Sequence, residues 1–158
     1  MDIYQVLQDL NINYKKFDHP AVFTVEESEK YDKGIDAGKC KNIFLRNAKG
    51  DRHFLVIIES HKRLDLQQLS DLLHESKLSF ASEERLMQYL ALTPGSVSPF
   101  GLIHNTDKTV RVIVDSDLMQ YEKLAFHPNI NTATLVITTE NLKKFLDWTG
   151  NKIDYLEL

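Results

Sequence analysis

The chain has 158 residues, of which 42% are hydrophobic and 27% charged, and its 19 Lys and Arg against 23 Asp and Glu give a formal net charge of −4. That length suits one domain, residues 1–158, with a sizeable core, and the negative balance excludes attraction of the whole surface to nucleic acid, so any RNA contact needs a local basic patch. No apolar run approaches the roughly 20 residues that span a bilayer, the opening Met1-Asp2-Ile3-Tyr4-Gln5 lacks the basic and apolar regions of a signal peptide, and a single cysteine, Cys40, excludes an intrachain disulfide, so a cytoplasmic setting with no membrane contact is expected.

Ile3, Val6, Leu7 and Leu10 share one helical face, which predicts a short amphipathic helix over 2–10. Residues 14–18 read as a strand ended by His19-Pro20. Thr24 followed by Glu27 is a capping-box pattern and predicts a helix to about Lys33, stopped by Gly34. Residues 41–46 and 52–59 read as two strands of a hairpin around a Gly50 turn; the second hardly alternates at 54–58 and is expected to be covered on both faces. Asp65 is set to cap a helix whose inner face is Leu66, Leu69, Leu72 and Leu73, and Ser82 another with Leu86, Met87 and Leu90 inward. A short strand is expected at 78–80. Residues 101–103 and 109–115 are predicted to form a second hairpin, 117–121 a helical turn, and 123–126 and 134–138 two strands, before a last helix capped by Thr139 and closed by Gly150. Together these elements make an α+β fold with a mixed, largely antiparallel sheet flanked by helices.

Chemistry is sparse by motif. The six histidines form no His-Glu-x-x-His pair and no Cys-x-x-Cys exists, so nothing favours a metal. No glycine-rich phosphate loop follows a strand. Cys40 lies among lysines, yet no histidine is tied to it in sequence, and a structural cysteine is the plainer reading. Gly95-Ser96-Val97-Ser98-Pro99 lacks the second glycine of a nucleophile elbow. Its two prolines and two glycines, counted from Pro94 to Gly101, instead describe a rigid loop with uncrowded backbone N–H groups, either a plain connector or a cradle for a small ligand. Lys41-Asn42 is either a solvated strand end or a cation and an amide beside a cleft. His127-Pro128-Asn129-Ile130-Asn131 is either a self-satisfied turn or a set of polar side chains held on two rigid strands.

Five strings in order decide between these alternatives: His19-Pro20-Ala21-Val22-Phe23-Thr24, Lys41-Asn42-Ile43-Phe44-Leu45, Leu78-Ser79-Phe80-Ala81, Pro94-Gly95-Ser96-Val97-Ser98-Pro99-Phe100-Gly101-Leu102, and the run from Phe126 to Leu135. Together they resemble the prolyl-tRNA editing domains of the YbaK/ProX type over nearly the whole chain, most of all the freestanding branch that removes alanine mischarged onto proline tRNA. A sister branch clears cysteine from the same tRNA. The resemblance implies a barrel-like sheet and hydrolysis of the aminoacyl ester without cofactor or metal. It puts the catalytic roles on Lys41, on Gly95, Ser96, Val97, Ser98 and Pro99, and on His127. Asn42, Val22, Phe23, Ile43, Gly101, Asn129 and Asn131 are the matching candidates for substrate contact. The acceptor end of mischarged tRNA(Pro) is the implied partner, with Lys15, Lys16, Lys39, Lys62 and Arg63 as candidate tRNA contacts and prolyl-tRNA synthetase as a second candidate partner. The same fold could also serve as a noncatalytic aminoacyl-tRNA binding module.

Overall fold

The uninterrupted apolar run at 54–58 forms the middle of β3 (His53–Glu59), and none of its five residues is more than 1% exposed. Alternate side chains of a strand face opposite ways, and here both faces are covered. Leu55 and Ile57 join a large core with helices α1 (Ile3–Asp9), α4 (Glu83–Leu90) and α5 (Thr139–Thr149). Phe54, Val56 and Ile58 join a second cluster under α3 (Leu66–Leu72). The computed structural model describes the backbone of residues 1–158 and the side chains of all but Val25 and Asp32.

Around β3 lie β1 (Lys15–Asp18), β2 (Gly38–Arg46), β4 (Ser79–Phe80), β5 (Arg111–Asp115), β6 (Lys123–Phe126), β7 (Ala133–Thr138) and β8 (Ile153–Leu156). Their order is β1-β7-β6-β2-β3-β5-β8, with β4 added on β2. The pairs β1–β7, β6–β7, β2–β3 and β2–β4 are antiparallel, whereas β2–β6, β3–β5 and β5–β8 are parallel. The sheet is therefore mixed, as expected, and helices flank it.

Side-chain caps start the helices where the sequence places them: Thr24 Oγ1 accepts from the Glu27 N–H at 3.1 Å ahead of α2 (Val25–Asp32), and Asp65 and Ser82 do the same for α3 and α4. The last helix is capped by Thr138, one residue before the predicted Thr139, and Gly150 ends it at φ +77°. Leu72 and Met87, expected inside, are 47% and 50% exposed, because each helix is short and buries only a narrow stripe. The predicted second hairpin is absent. Residues 101–103 belong instead to a 3-10 helix, Pro99–His104, which Ser98 Oγ starts by accepting from the Phe100 N–H at 3.1 Å. The partners of β5 are β3 and β8, both parallel, and β8 itself was not foreseen.

β2 changes partners along its length. Only Gly38 and Lys39 pair with β6, opposite Leu124 and Ala125, while residues 40–46 pair with β3. Gly38 is needed at the first of these contacts: a Cβ there would stand 2.5–2.8 Å from the Tyr121 ring.

At the other end of β2, His53 is 3% exposed between the rings of Phe44 and Tyr89, with centroids 5.6 and 4.0 Å away. Its Nε2 lies 2.9 Å from Arg85 Nη1, which can only donate, so the ring accepts there and is neutral. Burial, then the charges of Arg85 and Arg46, push its pKa from 6.5 down to about 4. The unfolded chain thus takes up this proton near pH 6.5 and the folded chain only near pH 4. The His53 contribution to stability is complete above 6.5 and declines as pH falls through that window. Denaturant midpoints should drop between pH 6.5 and 5, where carboxylates scarcely titrate, and His53→Gln should flatten that slope.

Candidate active site

When two parallel neighbours part, a crevice opens between them, which is why ligand sites in open sheets collect where adjacent strands diverge. β2 and β6 part after two residues, and beyond that point lies a cleft of about 260 Å³. Lys41 and Asn42 enter it from β2, His127 from the end of β6, and Gly95 and Val97 from the loop ahead of the 3-10 helix. Val22, Phe23 and Thr24 contribute from the segment before α2, Ser28 and Glu29 from α2 itself, and Lys39, Cys40 and Ser60 from the strand ends. Three separate stretches singled out in the sequence thus meet at one place.

The loop is built as a turn with a purpose for each residue. The Ser96 N–H donates to Thr93 O at 3.1 Å, and Gly95 sits at φ +87°, so residues 93–96 form a turn with Pro94 then Gly95 at its centre. That bond removes Ser96 from the donors facing a ligand. Ser98 and Pro99 are buried, with Ser98 committed to capping the 3-10 helix. The N–H groups of Gly95, Val97 and Ser98 have no backbone acceptor among the described residues, and only the first two belong to residues lining the cleft.

His127 is fixed by its backbone surroundings. Its Nδ1 lies 2.9 Å from Ala133 O, a group that only accepts, so Nδ1 carries the proton and Nε2 is the ring's acceptor. His19 packs edge-on against it at 5.9 Å between centroids. The His19 Nδ1 donates to Pro20 O, and its Nε2 accepts from Thr134 Oγ1, both at 2.9 Å. Asn131 ties down the segment carrying Phe23: its Nδ2 donates to Val22 O at 3.0 Å, and the Val22 N–H donates to Asn131 O at 3.3 Å. In the cleft wall, Asn42 Oδ1 is buried without a hydrogen-bond partner among the described residues. An unpaired buried acceptor is costly and marks a place for a donor. Burial, with Glu59 and Asp115 next, pushes the Cys40 thiol well above its ordinary pKa, which favours the protonated form over the thiolate.

Residues 19–145 match the aminoacyl-tRNA editing domain family. The chain belongs to that family. It is 44% identical over 153 residues to the prolyl-tRNA editing protein ProX of Acetoanaerobium sticklandii, covering 96% of this chain and 93% of that one. It is 33% identical over 150 residues to the prolyl-tRNA synthetase associated domain-containing protein 1 of Danio rerio, covering 94% and 81%. A solved structure described as a candidate trans-editing enzyme for prolyl tRNA synthetase superposes with a TM-score of 0.75 at 23% identity, covering 99% of this chain and 94% of that one, a likeness of fold. No helix of the described residues is long and apolar enough to cross a membrane.

Several predicted residues of this editing domain lie elsewhere than expected. Ile43 is carried past the cleft and packs on the α3-side cluster. Gly101 is buried where a Cβ would stand 2.5 Å from Leu92 Cδ1, a packing role. Asn129 lies outside the cleft lining and donates to Phe100 O at 3.3 Å, joining the turn after β6 to the 3-10 helix. The five cations are spread across the strand order. Lys15 and Lys16 sit on the edge strand β1, where Lys16 pairs with Asp18 at 3.5 Å and lies 5.3 Å over Tyr4. Lysines on an edge strand also block pairing with other sheets. Lys39 lines the cleft, and Arg63 is exposed just before α3. Lys62 is engaged within the protein: it bonds Asp115 at 3.0 Å, Asp117, and Leu158 O at 3.0 Å. Sequence reasoning missed Thr24, Ser28 and Glu29 as lining residues, although Thr24 and Ser28 stand four apart, as one face of a helical turn requires.

Proposed function

We propose that the chain is a trans-editing deacylase that hydrolyses the ester of alanine mischarged onto tRNA(Pro). The observation that carries the reading is the convergence of Lys41, the Gly95 turn and His127 on one cleft, in a chain 44% identical to a prolyl-tRNA editing protein. Water adds to the ester carbonyl, the bond from that carbon to the ribose oxygen breaks, and the water's proton passes to the ribose oxygen, leaving free amino acid and tRNA. The Gly95 and Val97 N–H groups donate to the carbonyl oxygen as it gains charge. Lys41 supplies the cation for that charge or for the terminal phosphate, and His127, protonated at Nδ1, accepts through Nε2 and orients the ribose. Asn42, in the cleft wall beside Lys41, contacts the aminoacyl group. With His127 Nε2 engaged on the ribose, a ribose hydroxyl directs the water. The acceptor end of the tRNA is the partner, and Lys39 is the predicted cation nearest to it.

Incubation with tRNA(Pro) charged in turn with alanine, cysteine and proline tests this directly. Release of alanine in preference to the other two is the expected result. Preferential release of cysteine selects the sister activity, and binding without release selects a noncatalytic module. Gly95→Ala should lower the rate about tenfold or more, as expected for misplacing a donor by under an ångström. It should also cost about 1 kcal/mol in thermal unfolding, because a side chain at positive φ is strained and its Cβ would stand 3.3 Å from Phe23 Cδ1.

A further inference from the structure

Adjoining the cleft, and sharing with it Ser28, Lys39, Cys40, Asn42 and His127, is a smaller cavity of about 50 Å³. Its remaining walls include Ala125, Phe126 and Thr134. It lies against the point where β2 leaves β6, since Lys39 and Ala125, the last pair joining the two strands, both line it. Ala125 is the last β6 residue paired with β2, opposite Lys39, and it also pairs with Val136 of β7. The Ala125 methyl therefore belongs to a strand held on both sides, and so does the width of the cavity. The Cys40 thiol is protonated and forms a neutral wall, while Thr134 Oγ1 is occupied by His19 Nε2 at 2.9 Å.

We propose that this cavity is the side-chain subsite of the aminoacyl ester, and that Ala125 is its specificity-determining residue. The inference rests on the deacylase reading above. With the aminoacyl group lying along Asn42, which lines both cavities, the ester occupies the cleft and the substituent on the α-carbon enters the smaller cavity. At roughly 30 Å³ for a water-sized group, the space takes alanine's methyl, is tight for two heavy atoms, and is closed to the three methylenes of a proline ring. Selection by size then resides in β6 and β2, and Val22 and Phe23 shape the mouth instead. A one-residue change of wall is a fair probe, since one carbon more or less in a fitted pocket shifts preference by about tenfold or more.

The test uses the full chain and tRNA(Pro) charged with alanine, 2-aminobutyrate or proline, with kcat/KM for release as the readout. The wild type should favour alanine over 2-aminobutyrate by about tenfold or more and release no proline. Ala125→Gly should raise the 2-aminobutyrate-to-alanine ratio about tenfold, and Ala125→Val, whose β-branched side chain suits a strand, should lower alanine release by a similar factor. Thermal unfolding of both variants reports whether the sheet is intact, and the ratio between two substrates on the same protein is insensitive to the fraction folded. A ratio unchanged by Ala125→Gly, or full alanine release by a folded Ala125→Val, overturns the subsite while leaving the deacylase reading in place. A wild type that releases no alanine overturns both.

Discussion

Lys41→Ala is expected to reduce alanine release from tRNA(Pro) by about 10²–10³-fold, the cost of losing one preorganised group that stabilises transition-state charge. Lys41 is half-buried at the divergence of β2 from β6, belongs to neither hydrophobic cluster, and makes no ion pair among the described residues. Its removal should leave the unfolding temperature nearly unchanged, which separates a lost charge from a lost fold. Lys41→Arg should rescue poorly, because a planar fork does not occupy the place of a compact ammonium. Full activity in a folded Lys41→Ala protein would remove this residue from the mechanism.

Lys62→Ala is expected to act the other way, costing about 3 kcal/mol of stability with little direct effect on tRNA affinity. The Asp115 side chain is fully buried, and Lys62 is its cation. Burial opposes the charge on Lys62, but hydrogen bonds from it to Asp117 and Asp115 outweigh that and raise its pKa. Taking away the cation leaves a buried carboxylate with only the N–H groups of Glu59 and Asp117. Denaturant unfolding checks the stability. A tRNA-binding isotherm over a range of salt checks the rest: an unchanged salt slope is expected, whereas a slope reduced by about one would mark Lys62 as a phosphate contact.

The sequence made the helices legible through their caps, since Thr24, Asp65 and Ser82 advertise their roles by residue type and by spacing to the next turn. It also made the β2–β3 hairpin legible, because a short glycine-containing turn joins antiparallel neighbours only. Parallel pairing leaves no such local mark. β8, four residues long, starts three residues beyond Gly150 and pairs with β5 across the whole stretch holding β6, β7 and α5. The mistaken hairpin had a readable warning, Ser98-Pro99, a cap followed by a proline at the first helical position. At the site, Lys41, Gly95 and His127 were named by resemblance to a family, and it took the fold to bring them together. Ile43 and Gly101 share the same strings but serve packing, because a motif preserves the neighbours of a functional residue along with the residue itself. Ser28 and Glu29 went unnoticed as lining residues because polar residues on an exposed helix look like any solvated face, and Thr24 because its role as a cap already accounts for it.

The contact of Gly38 with the Tyr121 ring has a mechanical meaning for the cleft. It stands at the vertex of an angle whose two arms are β2 and β6, and the cleft and smaller cavity lie between the arms. A small rotation at a vertex becomes a larger displacement further out, so the gap at Lys41 and His127 is more sensitive to the Gly38 contact than the contact itself would suggest. A methyl group wedged there would change the aperture of the cleft without touching any residue that lines it.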